Sequence, residues 1–135
     1  MLAQWFSRTP TMAALRPAEA QLLGALRQWV AAQRLGRCPI AAAAARLGCP
    51  RAAAHLHLLL DEIGAAWPEP FAVSPPCCTR LSHDEAAFAE MIAAGARGDR
   101  PGFDRLLADL LPADIRERLY LSAEVLNRVL KRACV

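Results

Sequence analysis

Aromatic residues make up only 6% of this 135-residue sequence, a single lysine (Lys131) stands among its cations, and no apolar stretch is long. Each scarcity excludes something. Few aromatic and β-branched side chains leave little from which to build a sheet, because those are the side chains that pack well on a pleated surface. The longest apolar stretches, such as 40–45, fall well short of the roughly 18 residues a spanning helix needs, so no membrane partner is expected. The start carries Trp5 and Phe6 but no basic region followed by a long apolar run, so it does not read as a secretory signal.

The usual signatures of chemistry are missing as well. There is no glycine-rich phosphate loop, no His-Glu-x-x-His helix, no nucleophile elbow and no Cys-x-x-Cys pair. The expectation is a protein that is not an enzyme. Five cysteines without an export signal point to reduced thiols and a cytoplasmic location.

What the chain does have is alanine and leucine. Hydrophobic residues reach 55%, enough for one core in a chain of single-domain size. Alanine loses no side-chain entropy in a helix, so the composition points to a mostly α fold. The charges are unevenly spread. Through Leu60 seven arginines (Arg8, Arg16, Arg27, Arg34, Arg37, Arg46, Arg51) face one acid, Glu19, while the remainder holds nine basic and twelve acidic residues. A basic first half suits a polyanionic partner.

Periodicity divides the chain further. Residues 1–16 form a leader broken by Pro10. Pro17 suits a first helical turn, and Leu22, Leu23, Leu26, Trp29, Val30 and Leu35 recur at helical spacing up to Gly36. A short second helix runs from Pro39 to Leu47, with Gly48 as a left-handed stop. A third runs from Arg51 to Ile63 and closes at Gly64. Prolines 68, 70, 75 and 76 then forbid helix, and Phe71–Val73 with Cys77–Arg80 are predicted to be two short strands around a Ser-Pro-Pro turn. Ser82-His83-Asp84-Glu85 reads as a capping box. Three apolar-patterned helices follow, carrying Phe88 and Met91, then Phe103 and Leu107, then Ile115 to Leu130.

The segment from Ile40 to Gly64, with its short Leu47-Gly48-Cys49-Pro50 connection, resembles the helix-turn-helix of winged bacterial regulators of the MarR and ArsR type. Counting the first helix and the wing, the resemblance spans residues 17–81. It implies a winged helix-turn-helix core of three helices and a short β-wing, followed by a C-terminal helical segment, 82–135, that mediates dimerisation, all in one compact domain. It also implies a DNA-binding transcriptional regulator that acts as a homodimer on double-stranded DNA, with the helix Arg51–Ile63 in the major groove. Arg46, Arg51, Ala52 and His55 would then lie near the groove and Arg80 on the wing. That third helix has no Asn, Gln, Ser or Thr between Arg51 and Leu60, so phosphate contact and shape would matter more than base reading. Leu119, Val125, Leu126 and Val129 wrap beyond one stripe of the last helix and are assigned to the dimer interface.

Two alternatives stay open. The helix-turn-helix could serve only as scaffold for a protein-interaction module that docks a partner through the acidic C-terminal helices. Cys77 and Cys78, with His83 as a third ligand, could hold zinc or another thiophilic metal or sense oxidants; the plain reading is that the two thiols pack the wing and no cofactor is bound. Cys38 and Cys134 are expected to be structural.

Overall fold

The computed structural model describes residues 9–133, which form six α-helices and no β-strand. They are α1 (Pro17–Arg34), α2 (Pro39–Leu47), α3 (Pro50–Ala66), α4 (His83–Arg97), α5 (Arg100–Leu107) and α6 (Ala113–Ala133). Prolines start the first three of these, each in the opening turn, where the missing N–H would have had no intrahelical partner. Gly48 ends α2 with φ of 69°, in the left-handed region, and turns the chain into α3 with Cys49 as the only other connecting residue. The expected stop at Gly64 fails: α3 continues to Ala66 and ends where Trp67 turns extended.

Helix α3 is the centre of the molecule. It packs against α1 and α2 on one side and against α6 on the other. Ala52, Ala53, Leu56, Leu59, Leu60 and Ile63 are all buried on it, a wider stripe than one neighbour could cover. Helix α6 runs antiparallel to α3: Ile115 and Leu119 lie near Glu62 and Ala66, whereas Val129 and Arg132 lie near Arg51. The Ser122 hydroxyl donates to Glu62 at 2.6 Å between them. Helix α4 approaches α6 closely at Gly95, where a Cβ would come within 3.2 Å of the Asn127 amide; that amide donates to the Ile92 carbonyl. Phe103 and Tyr120 meet edge to face, 5.2 Å between centroids, and join α5 to α6.

The expected β-wing is absent among the described residues. The segment between α3 and α4 forms one isolated bridge, and that is with the leader, Thr11 to Arg80. The reason lies in where its backbone groups go. Ala72 donates its N–H to Asp84 and its carbonyl accepts from the Ser82 hydroxyl. Thr79 and Leu81 pair with Met12 and Pro10, and the Thr9 hydroxyl donates to Leu81. The carbonyls of Cys78 and Arg80 accept from the Arg27 guanidinium. Backbone groups of Ala72, Cys78, Thr79 and Arg80 that a hairpin would use are thus engaged elsewhere. Trp5 and Phe6, the other residues of 1–8, and Cys134 lie outside the described residues.

A basic end as candidate nucleic-acid interface

The basic first half does not form one face. Arg27 is buried at 2% exposure in an ion pair with Glu85. Arg34 closes α1 and Arg37 lies in the connection to α2, whereas Gly24 lies near the middle of α1. Arg16 stands at the start of α1, Arg8 lies outside the described residues, and Arg46 and Arg51 flank the turn into α3. The Arg46 guanidinium lies across α1 at Gly24, where a Cβ would come within 2.5 Å of Nε. Arg51 is exposed in the first turn of α3.

Their company comes from the other half of the chain. Arg51 shares a groove of about 260 Å3 with Val125, Val129, Arg128 and Arg132 of α6. Arg128 also lines a neighbouring groove of about 860 Å3 with Gln21, Arg97 and Lys131. Exposed cations from α3, α4 and α6 therefore line two grooves that meet at Arg128. The acids nearby are weakly engaged: Glu124 stands 3.9 Å from Arg128, and Asp99 3.5 Å from Arg97, both exposed pairs of the kind that hold little free energy. The start of α3 adds to this, because Cys49 makes no side-chain cap bond and the helix N-terminus carries partial positive charge.

The other residues expected at the groove fall elsewhere. Ala52 is wholly buried, a correction that follows from α3 being packed between α1 and α2 on one side and α6 on the other. His55 is half-buried, and Arg80 is exposed on the irregular loop rather than on a wing. The outward stripe of α3 shows Ala54, Leu58, Asp61 and Ala65.

The cysteine site does not assemble. Among the described residues no group of three His, Cys, Asp or Glu side chains could hold a metal ion, so Cys77, Cys78 and His83 are not brought together. Cys78 donates its thiol to the Arg80 carbonyl at 3.4 Å. Cys38, Cys77 and Cys78 are free thiols.

The four residues assigned to a dimer interface divide in two. Leu119 and Leu126 are fully buried within the single chain, and Val125 and Val129 are half-buried at the Arg51 groove. For Leu119 and Leu126, the cover that the periodicity assigned to a second copy comes from within the chain. No helix among the described residues is long and apolar enough to cross a membrane.

Sequence reasoning missed two constellations. One is the Arg27–Glu85 pair; an arginine set inside an apolar helical stripe, and a capping glutamate with a free second oxygen, were the available signals. The other links α1 to α3. The Trp29 indole N–H donates to His57 Nδ1 at 3.0 Å, which leaves the ring proton on Nε2 to meet Asp61 at 3.2 Å. Comparison of the chain with protein-family models, curated proteins and solved structures gives no match that assigns a family or a fold.

Proposed function

We propose that this chain is a DNA-binding regulator that holds duplex DNA at the basic end, with the start of α3 against the duplex and α2 behind it as a helix-turn-helix. The observation that carries the reading is the meeting of Arg51 with Arg128 and Arg132 in one groove, beside Arg97 and Lys131 in the next. Spaced cations on rigid helices suit phosphates, and the outward stripe of α3 offers few groups that read base edges. Recognition is then mainly of backbone and groove shape. Two-fold pairing through α6 is not needed for this contact, since Leu119 and Leu126 are covered by the chain itself.

The test is fluorescence anisotropy with a labelled duplex across a salt series. Affinity should fall steeply with salt as counterions are released. Arg51→Ala and Arg128→Ala should both weaken binding, and Arg116→Ala should not, because Arg116 is engaged with Asp104 and the Leu111 carbonyl. Equal effects of all three would remove the basic end from the mechanism.

A second reading, a protein-interaction module on the same scaffold, is favoured by Leu58, which is 57% exposed on the outward stripe of α3. Leu58→Ser separates the two: under the first reading it should weaken duplex binding less than Arg51→Ala does, and under the second it should remove partner capture.

A further inference from the structure

A second concavity, of about 380 Å3, lies between the C-terminal halves of α1 and α3 and is closed by the loop that precedes α4. Its walls are apolar and partly aromatic: Trp29 and Val30 from α1, Phe71 and Val73 from the loop, and Leu60 and Ile63 beneath. The volume falls in the range of small-molecule sites, roughly 300–1,000 Å3, which are typically apolar with a few placed polar groups.

Three observations make this a prepared site. The loop wall is fixed from both sides at Ala72, whose N–H donates to Asp84 at 2.7 Å and whose carbonyl accepts from Ser82 at 2.6 Å. Trp67 packs edge to face on Phe71, 5.2 Å between centroids, and donates its indole N–H to the same Asp84. On the opposite wall the Trp29 indole is held by His57.

The third observation is Gly64. It lines the space from within α3 in ordinary helical backbone, and a Cβ there would meet no atom within 4 Å. A glycine inside a helix is worse than alanine by about 0.5–1 kcal/mol. Neither a turn nor a close neighbour calls for it here. It keeps the mouth of the cavity open.

Asp61 is the charged side chain among the described lining residues. Its carboxylate is 58% exposed and meets His57 through Oδ2 alone, so Oδ1 is free to accept. Tryptophan and phenylalanine faces attract cations as well as apolar groups. We propose that this cavity binds a small aromatic amine, its ring between the Trp29 and Phe71 walls and its ammonium at Asp61. The site lies at the opposite end of α3 from Arg51 and stands apart from the DNA reading.

Calorimetric titration of the full chain with 1-naphthylmethylamine and with 1-naphthoate tests this, since the two share a ring system and differ in charge. The amine should bind about tenfold more tightly than the acid. Asp61→Asn should bring the two within about twofold, and Gly64→Leu should abolish amine binding while circular dichroism stays as in the wild type and the melting temperature is unchanged or higher. Amine binding absent at millimolar concentration, acid binding equal to amine binding, or unchanged binding by the Gly64→Leu chain would each overturn the proposal. All of these are read without DNA, so their failure leaves the basic end untouched.

Discussion

The Arg27 guanidinium lies side by side with the Glu85 carboxylate, Nε to Oε2 at 2.7 Å and Nη2 to Oε1 at 3.0 Å, across 58 residues of sequence. Both side chains are essentially without solvent, at 2% and 0% exposure. The remaining donors of Arg27 reach the carbonyls of Cys78 and Arg80, and Glu85 Oε1 also accepts from the Ser82 N–H. One pair thereby ties α1, the irregular loop and the start of α4 together. A bidentate pair with every polar atom engaged offsets the desolvation that burial imposes.

Breaking that pair on one side should be severe. Arg27→Met strands a buried carboxylate and frees two carbonyls, and is expected to cost about 3–5 kcal/mol in urea unfolding. Replacing both partners, as Arg27→Met with Glu85→Leu, should cost less than the sum of the two single changes. Additive effects in the double-mutant cycle would show that the pair is not coupled.

Acid should act through the same residue. Burial pushes the Glu85 carboxyl up, but the Arg27 guanidinium and the Ser82 N–H outweigh it and hold the group below its ordinary value of 4.5. A carboxyl depressed by folding contributes stability that is complete above the unfolded value and is lost as pH falls through the folded one. Stability should therefore hold down to about pH 4.5 and decline below it, with a shallower acid limb in Glu85→Gln. Asp99, lowered chiefly by the Gly102 N–H at the start of α5, should add to the same limb. Urea midpoints measured across the acid range check both.

The last helix separates core from surface by single residues. Leu126 is fully buried, so Leu126→Asp places an unpaired charge in the core and should unfold the chain at several kcal/mol. Val125 is half-buried beside Arg51 and Arg128. Val125→Asp should leave the circular dichroism spectrum near that of the wild type and weaken duplex binding several-fold through charge repulsion with phosphate. Light scattering on the wild type tests the expected homodimer directly. A dimer dispersed by Val125→Asp would return the half-buried valines to an interface.

Salt should distinguish two arginines of the Arg51 groove, Arg51 and Arg128, from the buried Arg27. Loss of Arg128 or Arg51 should reduce the slope of log affinity against log salt by about one each. Arg27 makes no phosphate contact from its buried position, so a folded Arg27 variant should keep the wild-type slope. A reduced slope for Arg27 would mean that the basic face includes α1.

Helices were legible wherever local chemistry alone sets them. Proline in the first turn, glycine after Leu47 and the Ser82–Glu85 box act within a few residues, and the capping box forms with both bonds in place, at 3.0 Å and 2.8 Å. The wing was misread because alternating apolar residues around a turn describe a capacity to pair. The side chains of Arg27, Ser82 and Asp84 took those backbone groups first.

The sequence by itself determined the helical character, the short α2–α3 turn and the start of α4, because propensity, turn chemistry and capping are local free energies. Only the tertiary structure decided which apolar faces meet and where the cations gather. Packing of α6 against α3 and α4 leaves Leu119 and Leu126 fully buried, and its antiparallel course along α3 carries Arg128 and Arg132 to Arg51. Helical spacing says that a face is apolar and leaves open what covers it, since the hydrophobic effect has no direction. Charge counts along the chain cannot locate a patch built from residues 51 and 128, because the field at a surface depends on distance in space.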